Sequence, residues 1–190
     1  MPEKKSWLKK TAVLMGGVAA AAGLVHVGAR SVAQRMATTP MPHSLMQLLH
    51  PLSGETITVN RPDGTQLRVV THGSGQPIVF VHGYGLSTQM WSLIWQKLQD
   101  KNYRLIAVDL RGHGGSTFGT AGIDSPTMSA DLAAVLESLD VQNGVLVGHS
   151  TGGFLSLLMG LNQQKTAVSR LKHLVLRSTL CGGIGRENPV

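Results

Sequence analysis

Hydrophobic positions change their period several times along this chain of 190 residues, and each change marks an element. Residues 55–60, ETITVN, alternate in the pattern of a strand with one buried face. The turn formers Pro62 and Asp63-Gly64 follow in RPDGT, and QLRVVTHG then supplies the second strand of a hairpin. PIVFVHG, 77–83, is a continuous apolar run ending in glycine, as expected of a strand covered on both faces. In STQMWSLIWQKLQD, 87–100, Met90, Leu93, Ile94 and Leu98 recur at three- and four-residue intervals, which predicts a helix capped by Ser87. Further along, the pattern predicts a buried strand at 104–110 (RLIAVDL) and a helix at 125–140, capped by Ser125 with Pro126 at its first position. A strand at 144–148 (GVLVG), a helix starting about Thr151 and a last strand at 171–179 (LKHLVLRST) complete the series.

Strands that alternate with helices after an initial hairpin predict an α/β fold. Its sheet is mostly parallel, with helices on both faces and an antiparallel edge. In such sheets the ligand crevice lies beyond the carboxyl ends of the strands. Three short motifs fall at that end: HGYG after the first buried strand, DLRGHGGS after the second and GHSTGG after the third. The last contains G-x-S-x-G as Gly148, His149, Ser150, Thr151 and Gly152, the pattern of a strained strand-to-helix turn that presents a serine. Small neighbours are needed there, and Gly148, Gly152 and Gly153 provide them. The helix that follows places free N–H groups and a partial positive charge beside the hydroxyl, where an oxyanion would form.

Taken in this order, VHGYG, VDLRGHGGS and GHSTGG resemble the N-terminal half of an α/β-hydrolase-fold enzyme, closest to the single-domain esterases and cofactor-free haloperoxidases. The resemblance covers about residues 55–180. It implies that Ser150 is the nucleophile and that the backbone N–H groups of Thr151 and Tyr84 hold the oxyanion. It also implies that His82 and His113 hold loops by hydrogen bonds, and that Asp109 and Arg111 are scaffold around a turn. His149, next to the nucleophile, is directed away from it. Tyr84 is expected to wall the substrate pocket, and Trp91 either does the same or packs the helix. Relatives that open epoxides or displace halide carry Asp at the elbow. Serine therefore favours acyl chemistry on an ester, thioester or amide through an acyl-enzyme.

A serine nucleophile needs a histidine base and an acid, which in this fold follow it in the order acid, then histidine. After Ser150 the chain offers Glu187 and His173 only, in the reverse order. His173 belongs to the start of the last strand, away from the crevice, and neither residue is expected to complete a triad. The expectation is a chain that is incomplete, lacks the C-terminal strands and cap, is weakly active or inactive, and leaves its last strand as an exposed apolar edge. The alternative is a non-catalytic, membrane-tethered binding or scaffold protein with a hydrolase-like core.

Charge changes the picture at the N-terminus. The chain carries a net +7, but residues 1–35 hold +5 of it through Lys4, Lys5, Lys9, Lys10, Arg30 and Arg35 against Glu3. The remainder is nearly neutral, so nucleic acid is not expected as a partner. Residues 11–29 carry no formal charge, a span of membrane-crossing length. It reads as a retained anchor, or as a signal cleaved near Ala33. Lysines before the run put the N-terminus in the cytoplasm and the hydrolase part outside. The predicted organisation is therefore an anchor or signal at 1–35, a linker at 36–54 and a partial hydrolase core at 55–190. The lone Cys181 forms no disulfide within the chain, and the eight histidines make no cluster with zinc spacing. No cofactor or metal is expected, and the substrate is a small acyl compound.

Overall fold

The computed structural model describes residues 50–179. Among them, six strands form one sheet in the order β1-β2-β4-β3-β5-β6. The strands are β1 (Glu55–Asn60), β2 (Gln66–His72), β3 (Gln76–Val81), β4 (Tyr103–Val108), β5 (Gly144–His149) and β6 (Leu171–Arg177). β1–β2 and β2–β4 pair antiparallel, whereas β4–β3, β3–β5 and β5–β6 pair parallel. The predicted mixed sheet, with its hairpin at one edge, is thus present. The helices are α1 (Ser92–Leu98), α2 (Ser125–Ser138), α3 (Thr151–Asn162) and α4 (Gln164–Arg170).

The period-2 alternation of the central strands feeds two cores. Leu67, Val69, Val79, Val81, Ile106 and Val108 face Leu132 and Leu136 of α2 and Leu155 and Met159 of α3. Val70, Phe80, Leu105 and Ala107 face the opposite side, against Trp91, Trp95 and Leu52. A strand buried on both faces needs apolar residues at every position, which is why β3 and β4 read as continuous runs. The chain after β3 enters one core through Trp91 and Trp95, and the chain after β5 enters the other through Leu155 and Met159, so the two loops leave to opposite faces at the end of the sheet where ligand crevices form in such folds.

Several local expectations are corrected. The predicted helix at 87–100 is a 3-10 turn, Thr88–Trp91, followed by α1, and the Ser87 side chain makes no capping bond. The Asp109 carboxylate reaches over from the end of β4 and accepts from the Thr88 N–H at 2.7 Å instead. Asp124, not Ser125, caps α2 by accepting from Thr127 N–H at 2.7 Å. α4, which the pattern did not predict, fills the connection from α3 to β6 and buries none of its residues. Of the two readings of Trp91, the packing one agrees with its burial and with its ring centroid 5.1 Å from that of Phe80. The end of the expected linker packs on the fold, with Leu52 buried and the Ser53 carbonyl accepting from Trp95 Nε1 at 3.0 Å.

Among the described residues β6 lies at the sheet edge, and Leu174, Val175 and Leu176 are exposed. The predicted membrane segment at 11–29, Cys181 and Glu187 lie outside the described residues. Among the described residues no helix is long and apolar enough to cross a membrane, and no cluster of candidate metal ligands is present.

Candidate active site

Ser150 stands between the last residue of β5 and the first of α3 with φ 51° and ψ −119°. A non-glycine residue pays strain for this backbone region, and such strain persists only where the surroundings impose it. They do so here. The Ser150 N–H donates to the Arg177 carbonyl of β6 at 2.9 Å, and its carbonyl accepts from Gly153 and Phe154 N–H at 3.0 and 3.1 Å. Gly152 leaves no room for a side chain, because a β-carbon there would run into the carbonyl oxygens of Val81 and His82. A β-carbon on Gly148 would stand 2.5 Å from Gly153 Cα, so strand and helix are in direct backbone contact.

The loop after β3 closes on the serine from the other side. A β-carbon built on Gly83 would lie 3.2 Å from Ser150 Cβ and 3.0 Å from His149 Nδ1. Tyr84 follows, with 76% of its surface exposed and its ring edge-on to His113 at 5.3 Å. Among the described residues no hydrogen bond occupies the backbone N–H of Tyr84 or of Thr151, the first residue of α3. Neither does any described residue hydrogen-bond Ser150 Oγ, histidines included.

Each described histidine near the crevice has another task or orientation. His82 is buried; its Nε2 lies 3.0 Å from the Leu110 N–H, which can only donate, so Nε2 accepts and the proton sits on Nδ1. Nδ1 then donates to the Gly83 carbonyl at 2.7 Å. Burial pushes the His82 pKa below its ordinary value. His82 is thus a neutral strut between the loops after β3 and β4. His113 Nδ1 lies 2.9 Å from the Arg111 carbonyl, and its ring is 5.4 Å from that of His82. His149 Nδ1 is buried without a hydrogen-bond partner among the described residues. His173 pairs with Val145, near the start of β5 and at the far end of the sheet from Ser150.

Two buried ion networks fix the loop after β4. Asp109 accepts from the N–H groups of Thr88 and Gly115 at 2.7 and 2.9 Å and from Arg68 Nη1 at 2.9 Å. Burial disfavours its charge, yet these donors outweigh burial and hold its pKa below the usual carboxylate value. Arg111 meets Asp131 through two bonds, Nε–Oδ2 at 2.6 Å and Nη2–Oδ1 at 2.8 Å. Its Nη1 reaches Asp63 Oδ2 at 3.1 Å and the Gly122 carbonyl at 2.8 Å. With these charges consumed internally, both residues act as scaffold. An open cleft of about 590 Å³ lies between the two loops, lined by Tyr84, Leu86, His113 and Ile123 among others. The motifs did not point to Leu86 and Ile123. The available signal was a bulky apolar residue left inside a glycine-rich loop.

A family model described as alpha/beta hydrolase fold matches residues 76–189. Among curated proteins, a non-heme chloroperoxidase of Streptomyces lividans is 43% identical over 50% of this chain and 36% of its own length. A bifunctional esterase/perhydrolase of Acinetobacter calcoaceticus is 44% identical over 40% of this chain and 28% of its own. Among solved structures, an esterase from Exiguobacterium antarcticum superposes with a TM-score of 0.62 at 33% identity, covering 67% of this chain and 46% of its own. The matched part of the chain thus spans about a third of the curated relatives and under half of the solved one.

Proposed function

Because this chain belongs to the α/β-hydrolase fold family, we propose that it is the nucleophile-bearing part of a serine hydrolase acting on an ester or related acyl bond. The observation that carries this reading is the strained backbone of Ser150, φ 51°, beside a glycine at 83 whose β-carbon, were there one, would lie 3.2 Å from Ser150 Cβ. Esterases among the similar proteins agree with it.

Ser150 Oγ attacks the acyl carbonyl carbon, and its proton passes to a base supplied from outside residues 50–179. The carbonyl oxygen becomes an oxyanion between the backbone N–H groups of Tyr84 and Thr151, both without partners among the described residues. The positive end of α3 favours the same charge. Collapse breaks the bond to the leaving alcohol, which takes the proton, and leaves an acyl-enzyme that water hydrolyses. The basic N-terminus and the uncharged run at 11–29 support placing this core outside the cytoplasm, tethered or secreted. Protease accessibility in intact cells tests that placement.

Release of p-nitrophenol from p-nitrophenyl acetate tests the chemistry. The 190-residue chain is expected to turn over slowly, faster with added imidazole, and not above background as Ser150→Ala. Equal rates for the chain and Ser150→Ala in imidazole would contradict the proposal.

A further inference from the structure

A second serine beside Ser150 is held at positive φ. Ser178, the first residue after β6, has φ 49°, against 51° at Ser150. The two serines follow adjacent parallel strands, and the last residues of those strands, His149 and Arg177, are paired. Both turns therefore leave the sheet at the same level. A non-glycine residue keeps such a backbone only where its surroundings impose it. The Ser178 side chain is exposed, so the constraint comes through its neighbours in the chain.

Those neighbours are fixed on the nucleophile turn. Before Ser178, the Arg177 carbonyl accepts from the Ser150 N–H at 2.9 Å. After it, Thr179 is half-buried, whereas residues 172–178 are all exposed. The chain turns back at Ser178 and lays the Thr179 side chain on Gly153, in the first turn of α3. A β-carbon on Gly153 would collide with Thr179 Oγ1 and stand 2.9 Å from its Cγ2. The Thr179 hydroxyl donates to the same Arg177 carbonyl at 3.3 Å. One carbonyl thus joins the amide of Ser150 to the side chain that rests on its helix. From that helix turn, the Gly153 N–H donates back to the Ser150 carbonyl at 3.0 Å.

We propose that Thr179, aimed by the left-handed backbone of Ser178, is a positioning residue for Ser150. It fixes the first turn of α3 against the end of β6, and so holds Ser150 Oγ and the Thr151 N–H in register with each other. Attack on a carbonyl depends steeply on that register, because small misplacements of reacting groups cost rate. Thr179 reaches the helix and not the substrate. Its loss therefore lowers the rate of the chemical step and leaves substrate binding alone. This rests on the reading of Ser150 as nucleophile.

Hydrolysis of p-nitrophenyl acetate by the 190-residue chain in imidazole tests the inference through kcat and KM. Each rate is taken per folded molecule, with the folded fraction read by circular dichroism. Thr179→Ala is expected to lower kcat about tenfold with KM unchanged. Ser178→Val acts in the same direction, since a β-branched residue resists this φ; Thr179→Ala, which only trims a half-buried side chain, decides if that protein does not fold. Thr179→Ser keeps the hydroxyl and Ser178→Gly keeps the turn, so both retain the parent kcat. Asn143→Val is the control. It places the same misfit at φ 53°, directly before β5 at the opposite end of the sheet, and lowers stability without changing kcat. Unchanged kcat in Thr179→Ala, an equal fall in Asn143→Val, or a fall in Thr179→Ser as deep as in Thr179→Ala would overturn the inference and leave the nucleophile standing. A parent chain whose turnover equals that of Ser150→Ala would overturn both.

Discussion

A β-carbon on Gly83 would lie 3.2 Å from Cβ of Ser150, so the loop after β3 and the turn after β5 meet backbone to side chain. Tyr84 follows Gly83 in that loop, as Thr151 follows Ser150 at the start of α3. The contact depends on glycine at 83 and on a serine held in a backbone region that serine disfavours.

That strain is measurable. Ser150→Gly relaxes the turn and is expected to raise stability by about 1 kcal/mol, while Ser150→Ala changes it little. Urea denaturation of the three proteins checks this. A Ser150→Gly protein no more stable than Ser150→Ala would mean that the turn stores no strain.

Gly152→Ala would drive its methyl into the carbonyls of Val81 and His82. Overpacking of this kind costs about 1–3 kcal/mol, and more where backbone must move. A lowered denaturation midpoint with an unchanged slope is expected. A midpoint equal to wild type would refute the close approach of α3 to β3.

Arg111→Lys loses the two-bond contact with Asp131 and the bonds to Asp63 and Gly122. Arg61 Nε alone would remain on Asp131, at 2.9 Å. The expected destabilisation is about 3 kcal/mol, because a buried carboxylate loses most of its compensation. Thermal melting in low salt measures it.

The carboxylates set the acid limit. Asp63 and Asp109 both have folded pKa values below the unfolded one, Asp63 at about 2. Their contribution is complete above the unfolded value near 3.8 and is lost as pH falls through the folded values. His82, lowered from 6.5 by burial, adds the same sign at higher pH. Urea midpoints should therefore decline below about pH 6 and fall further between about pH 4 and pH 2. An imidazole nitrogen-15 titration of His82 should show the Nδ1-protonated neutral ring at pH 6.5. A charged ring at that pH would contradict the strut.

Much of this was legible in the sequence because β3 and β4 must be apolar at every position to face two cores, and because HGYG, DLRGHGGS and GHSTGG each end a strand. The helix caps were not. Asp109 takes the role expected of Ser87 from 21 residues away, a pairing that only the closed sheet creates. Asp63 reads locally as turn chemistry, and its tie to Arg111 spans 48 residues. α4 has no fully buried residue and packs on the core through the small Ala167 alone among its hydrophobic residues, so it leaves little periodicity to detect. The cleft residues Leu86 and Ile123 sit in loops, where apolar spacing carries no register.

Peptide mapping after exposure to a fluorophosphonate tests the central claim most directly. The account predicts a covalent adduct on the peptide that contains Ser150, formed slowly by the 190-residue chain, accelerated by imidazole and absent from Ser150→Ala. An adduct on another serine, or none at Ser150 even with imidazole, would contradict it.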